Sequence, residues 1–397
     1  MKQRAQIRVA RSLALGLLVL VIAGCGPQLP QWDTTSGAKL SPSQDAGIPE
    51  AIKSVETSVP VKPMRGSGLA GAMGGVHLKA QTAGVYDMRL PLPQLSDGQA
   101  PLYYAVNATP ATALTECRLQ APSNGNAFVT LKLNATAGQE VRLEWSCAVL
   151  IAGKSFVENR TPPGPCLAAS PCAQSDDPRL KELAGQLWPS SGQVKDYAAN
   201  IQGFIRNMKR KEQPLSLDAL GILKSGENGI CTANANLACA LMRARQIPCR
   251  SIATVPTVPR RFEMHRIVEY ADNGAWIPFD PSSVYTDIPL KPWHNIIMAK
   301  TTPDDEQLAA KPRIGAPAGC PFGHESEFCR FGLNLFGQDF FWSIAAPLAE
   351  FDVTDEAMTV TSGLWQHCLQ TGSLSTAQLK ATNARNLRQY LEAVKTK

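Results

Sequence analysis

An α+β fold is predicted: a small β-sandwich first, then helices packed on an antiparallel sheet. Three observations predict it. Short alternating apolar runs, broken by Pro, Gly, Ser and Asn clusters, fill residues 84–157, the pattern of sandwich strands. Apolar positions at helical spacing dominate from Asp177 to about Arg245. An Asn273-Gly274 pair then joins two strand-like runs, a strong tight-turn signal.

The elements follow in chain order. Met1 to Arg11 carries Lys2, Arg4, Arg8 and Arg11 and no acid, and Ser12 to Ala23 is a short apolar run. That is the pattern of a signal peptide. Its end, Val21-Ile22-Ala23-Gly24-Cys25, resembles a bacterial lipobox, which implies a lipid on Cys25 and a cell-envelope lipoprotein anchored to the membrane. Gly26 rather than Asp follows, which on the same resemblance implies the outer membrane. Residues 25–80 are rich in Gly, Pro, Ser, Ala and Gln without periodicity, and are expected to form a flexible tether.

Residues 81–160 make the predicted β-sandwich domain, with strand-like runs such as Ala127 to Leu133 and Glu140 to Trp145. Residues 161–176 are a linker. The second domain spans 177–397, with an irregular insertion at about 297–332. Asp177 is placed to cap a helix with Leu180, Leu183 and Leu187 on one face. A second helix is expected from Ser191 to about Lys211, and a short third from Leu217 to Leu223 capped by Ser216. Phe340 to Val360 has strand-like texture, and Ser375 is placed to cap a C-terminal helix.

The formal charge is +6 over 397 residues, with no long basic run, so nucleic acid is not implied. There are eleven cysteines. Export would permit disulfides, and the expected local pairs are Cys117 with Cys147, Cys166 with Cys172, and Cys320 with Cys329. No Cys-x-x-Cys occurs, so the usual zinc-ribbon spacing is missing. No cofactor or metal is called for.

Cys231, His265 and Asp280 form a candidate catalytic set in chain order. The run Ala233 to Arg245 is rich in helix formers, which puts Cys231 at a helix start. Unpaired N–H groups and the helix dipole there favour a thiolate, and the same groups can stabilise an oxyanion. With Asn273-Gly274 as a two-residue loop, Asp272 faces Ala275, and His265 and Asp280 become diagonal neighbours on one face, roughly 7–8 Å apart at the backbone. Asp280 would fix the imidazole tautomer, and His265 would take the thiol proton and return it to a leaving amine. Taken singly, each residue has a blander reading: a buried inert cysteine, a structural histidine, a turn aspartate.

These segments resemble the transglutaminase-like superfamily. Gly229-Ile230-Cys231-Thr232, Leu241-Met242-Arg243-Ala244 and Ile247-Pro248-Cys249-Arg250 look like its nucleophile segment. His265 with Glu269, and Trp276 to Ser282, look like its histidine and aspartate segments. The resemblance implies a papain-like core with a Cys-His-Asp catalytic triad and acyl transfer through a thioester. Peptide or protein amides are the implied substrates; water as acceptor makes a hydrolase or cysteine protease, an amine an acyltransferase. Ile267 stands where many members carry a tryptophan. Two other readings stay open: a catalytically silent binding or scaffold module of the envelope, and a metal site at the same three residues. Trp188 is a candidate to lend an indole N–H to an oxyanion. His294, His324 and His367 have no motif context.

Overall fold

The computed structural model describes residues 64–301 and 341–370, apart from short stretches at 81–82, 97, 121–125, 154–157, 160–163, 211–215, 229–230, 258–260, 263–264 and 283–284. The leader, the Cys25 lipobox, the Cys320–Cys329 pair, His324 and the predicted helix after Ser375 lie outside the described residues, as does the His367 side chain.

The strands are β1 (Gly68–Lys79), β2 (Gly84–Pro91), β3 (Gln99–Thr109), β4 (Leu114–Gln120), β5 (Phe128–Ala135), β6 (Glu140–Ile151) and β7 (Glu158–Asn159). Then come β8 (Lys209–Arg210), β9 (Glu227–Asn228), β10 (Cys249–Pro256), β11 (Arg261–Phe262), β12 (His265–Asp272), β13 (Ala275–Phe279), β14 (Asn295–Lys300) and β15 (Phe341–Glu350). Five α-helices are described: α1 (Pro178–Leu187), α2 (Val194–Asn207), α3 (Ala219–Ser225), α4 (Cys231–Ala244) and α5 (Asp355–Gln370).

A three-stranded sheet, β2-β5-β4, faces a five-stranded sheet, β11-β15-β1-β6-β3. Leu90, Val129, Leu131 and Leu133 of the first share a core with Ala70, Ala72, Tyr104, Val106 and Trp145 of the second. The mixed α+β architecture agrees with the prediction, but the domain boundaries need two corrections. Gly68–Lys79, expected in the tether, is β1, flanked by β15 and β6. Ala70 and Ala72 face the sandwich core, and Leu69 packs on the other side with Met358 of α5. A strand covered on both faces needs no polar alternation, and its small residues read as linker composition. The second correction is at the C-terminus. β15 joins the five-stranded sheet β11-β15-β1-β6-β3, and Asp355–Gln370, part of it read as strand-like, is a helix over that sheet. The segment expected to lie wholly in the second domain therefore helps to build the first.

The second five-stranded sheet, β14-β10-β12-β13-β7, carries the helices. Asn273 and Gly274 have φ of 50° and 78°, the double positive φ of a type I′ turn. Asp272 pairs with Ala275, the expected register. Asp177 caps α1 by accepting from the Arg179 N–H, with Pro178 in the first turn. On α3 the cap is Asp218, accepting from the Gly221 N–H, while the expected cap Ser216 donates to the Asp218 carboxylate instead. α4 is buried from Thr232 to Arg243. Its Leu237 and Leu241 share a core with Leu180, Ile201, Ile222, Val268 and Tyr270, each fully buried Leu or Ile contributing roughly 2 kcal/mol. Gln246 at φ 59° ends it, with the Ile247 N–H on the Met242 carbonyl and the Gln246 N–H on the Arg243 carbonyl, the two bonds of a Schellman motif.

The two sheets are joined rather than linked loosely. Gln99, fully buried, donates from Nε2 to the Gln94 and Ile297 carbonyls at 2.6 and 2.9 Å, and its Oε1 accepts from the Ile297 N–H at 2.9 Å. Ala253, Val255, Ile296 and Met298 of the second sheet lie in the sandwich core. Gln99→Leu keeps the volume but strands two buried polar groups, the Gln94 carbonyl and the Ile297 N–H, while the Ile297 carbonyl keeps the Gln94 N–H. It is expected to cost roughly 3 kcal/mol or more, measured as a lower urea midpoint at unchanged slope.

Neither Cys117–Cys147 nor Cys166–Cys172 is bridged in this structure, in which Cys239 and Cys249 are likewise unbridged. Among the described residues no helix is long and apolar enough to cross a membrane.

Candidate active site

Cys231 is the first residue of α4, His265 the first of β12, and Asp280 follows the last of β13. The core side of β12 is Val268 and Tyr270, packed with α4. Ile267 points to the opposite side, with Ile252, Leu290 and Ile297. The imidazole and the thiol meet where the strand and the helix each begin. Gln202 of α2 holds this corner, donating from Nε2 to the carbonyls of Asp280 at 2.8 Å and Tyr285 at 2.9 Å.

His265 Nε2 lies 3.0 Å from Asp280 Oδ2. Asp280 is fully buried, and its other oxygen, Oδ1, accepts from the Ser282 N–H at 2.8 Å. That bond is an Asx-turn across Pro281; it orients the carboxylate as the carboxylate orients the ring. With Nε2 taken, Nδ1 is the nitrogen left for Cys231, with which the imidazole hydrogen-bonds. The Thr254 hydroxyl, 3.1 Å from the His265 carbonyl, holds the backbone on the strand's other edge.

The electrostatics point one way. Burial pushes the Cys231 thiol up, but the hydrogen bond and charge of His265, with the backbone N–H and charge of Arg266, outweigh it and lower its pKa from 9.0. Burial pushes the His265 imidazolium down; the Asp280 carboxylate, with a further contribution from Cys231, more than reverses this and raises it from 6.5 to about 10. A lowered thiol pKa beside a raised imidazole pKa favours a thiolate–imidazolium pair. The first-turn N–H groups of α4 have no intrahelical partner and border the same space.

Asn234, one turn along α4 from the thiol, was not singled out by the sequence. It is buried, and its Nδ2 donates to Ser282 Oγ at 3.2 Å. It thereby ties the helix to the turn that aims Asp280. The i+3 spacing from Cys231 was the available signal. Asn234→Ala is expected to lower turnover roughly tenfold through misorientation of the carboxylate. In a pH series of Cys231 alkylation, the onset of thiolate reactivity moves to higher pH.

Trp188 does not reach the site. It packs on Tyr197, ring centroids 5.1 Å apart, under the Arg245 guanidinium at 4.6 Å. Arg245 follows the far end of α4, about 20 Å from Cys231 along the axis. His294 stacks on Tyr285 at 3.6 Å, and burial holds its pKa down at about 4, so it stays neutral. Among the described residues no group of three His, Cys, Asp or Glu is arranged to hold a metal ion.

A sulfur at a helix start, in line with an imidazole and a buried carboxylate at a sheet corner, is the layout of the cysteine-enzyme class. The family comparison agrees: residues 181–281 match the transglutaminase-like superfamily, and this stretch is a transglutaminase-like domain. Among solved structures, a "putative cysteine protease" from Cytophaga hutchinsonii aligns over 73% of this chain and 94% of its own, at 20% identity and a TM-score of 0.49. A "putative protease" from Parabacteroides distasonis ATCC 8503 aligns over 51% of this chain and 42% of its own, at 14% identity and a TM-score of 0.24. No match was found among curated proteins.

Proposed function

We propose that the chain is an exported, lipid-anchored cysteine enzyme that cleaves or transfers peptide or protein amide acyl groups through a thioester on Cys231. The observation that carries the chemistry is the His265–Asp280 pair at 3.0 Å beside a thiol of lowered pKa. The anchor rests on the Cys25 lipobox alone, and envelope localisation follows from it.

The steps use this chain's own groups. The Cys231 thiolate attacks the amide carbonyl carbon, forming a C–S bond, and the carbonyl oxygen takes the negative charge. First-turn N–H groups of α4 stabilise that oxyanion. As the oxyanion collapses the C–N bond breaks, and His265 gives its proton to the leaving amine. His265, now neutral, takes a proton from the acceptor as it attacks the thioester carbonyl. Water gives an acid and an amine acceptor gives a new amide; the thiolate leaves, and His265 holds the proton again. Asp280 keeps the ring in one tautomer throughout.

The test is competitive labelling followed by a substrate screen. With limiting iodoacetamide at pH 6.5, Cys231 should be alkylated at least tenfold faster than any other thiol, because its lowered pKa leaves more of it ionised there than of an ordinary thiol. Peptide amides with and without an added amine then separate hydrolysis from transfer. A Cys231 no more reactive than Cys117 or Cys172 would favour the silent scaffold reading and sink this one.

A further inference from the structure

We infer that Cys239 and Cys249 are a disulfide-forming pair that fasten the nucleophile-bearing helix to the strand beside it. Their sulfurs lie 3.6 Å apart across 10 residues of sequence. Cys239 is in the third turn of α4, Cys249 is the first residue of β10, and both are 2% exposed or less. A disulfide needs an S–S distance of about 2.05 Å, so the sulfurs must close by roughly 1.5 Å.

The backbone around the pair is already fixed. Arg243 of α4, buried, donates from Nε and Nη2 to the Cys249 carbonyl at 3.0 and 2.7 Å. The Schellman turn at Met242 to Ile247 sets the path from helix to strand. The sulfurs are thus brought together by the same contacts that fold the helix onto the sheet.

Bond formation requires a two-electron acceptor, and a small-molecule or protein disulfide is the class that serves. One thiol loses its proton and its thiolate attacks the oxidant's disulfide, expelling a thiolate. The second cysteine, deprotonated, attacks the mixed disulfide and expels the other. Two protein thiols and one oxidant disulfide become one protein disulfide and two small thiols. Burial raises the Cys249 thiol well above its ordinary value, so exchange in the finished fold is slow. The bond forms while the interior is still open and is then shielded from reductants. Its consequence for the site is chemical as well as mechanical, since two thiols on or beside α4 are withdrawn from pairing with Cys231. Cys166 is close enough for its charge to act on Cys249, which makes it the competitor to exclude.

This inference does not depend on the proposed reaction. The full chain is unfolded, reduced, refolded in oxidised and reduced glutathione, and freed of small thiols. It is then denatured, alkylated with N-ethylmaleimide without reductant, and digested. The expected result is a Cys239–Cys249 linked peptide with Cys231 alkylated, and a thermal midpoint that falls by roughly 5 °C when the same protein is refolded reduced. Alkylation of both Cys239 and Cys249, or linkage of either to Cys166 or another cysteine, overturns it. Failure there leaves the iodoacetamide result at Cys231 untouched, so the two proposals fail separately.

Discussion

Cys231→Ala is expected to abolish amide turnover, with a loss on the order of 10⁴-fold or more and no loss of folding. The side chain is only partly buried at the first position of α4, so removing its sulfur leaves a small gap at a surface rather than a cavity in the core. Alanine also suits the start of a helix that already carries alanine at 233, 235, 238 and 240. The urea midpoint should therefore stay within the range of a surface substitution, about 0.5 kcal/mol. The charge effect is separately readable. The thiolate helps to raise the His265 pKa, so an NMR titration of the imidazole in the variant should fall below about 10. Retained turnover in Cys231→Ala would assign the chemistry elsewhere, and a silent scaffold would show no turnover to lose.

The parts of this site legible in the sequence are those fixed by local geometry. Asn273-Gly274 specifies a turn because both residues accept positive φ, and the turn then fixes the register of β12 and β13 by counting. The alanine-rich run after Cys231 specifies a helix, and its start follows. His265 and Asp280 are 15 residues apart, so one hairpin suffices to bring them together. The grip on Asp280 was harder to see. Ser282 could be read from the Asx-turn pattern Asp-Pro-Ser, but Gln202 and Asn234 come from α2 and α4, 78 and 46 residues before Asp280 in the chain. Periodicity marks such positions as core without naming their partner.

The larger misreading, β1, has the same origin. Its partner β15 lies about 270 residues away, with Gly68 opposite Glu350. Nothing near Gly68 in sequence supplies the second side of its hydrogen bonding, and Ala and Gly carry too little hydropathy to mark it. The same holds for Gln94 and Gln99, whose amides look like ordinary surface residues until Ile297 and Met298 arrive opposite them. Trp188 failed for a different reason. Its helix was placed correctly, but a helical pattern does not say which end of a neighbouring helix it will meet.

Asp280→Asn is the second large effect, expected on two axes. The amide keeps the shape and can still accept the Ser282 N–H, but the charge beside His265 is gone. Burial, which alone pushes the imidazolium down, is then opposed only by Cys231. The imidazole pKa should fall from about 10 by several units, and the Cys231 thiol should rise, because its lowering depends on a charged His265. The sign of the pH dependence follows. In the native protein the ion pair exists from the lowered Cys231 pKa up to about 10, so turnover is lost on the alkaline side as His265 gives up its proton. In the variant that limb moves toward neutrality, and the window in which sulfur is ionised and imidazole protonated narrows or closes. At pH 7 the loss of turnover should reach on the order of 10³- to 10⁴-fold, including the effect of the wrong tautomer. Stability has its own sign. A histidine whose folded pKa exceeds its unfolded value stabilises fully below about 6.5 and loses that contribution as pH rises through about 10. Cys231, whose folded pKa is lowered, contributes with the opposite sign as pH rises toward its ordinary 9.0, so the two offset one another and the native protein should lose stability only between 9.0 and about 10, where the variant should show a flatter profile. Turnover and iodoacetamide rates measured across pH 5 to 11 in both proteins decide it. Superimposable profiles would mean that Asp280 supports the loop and not the base.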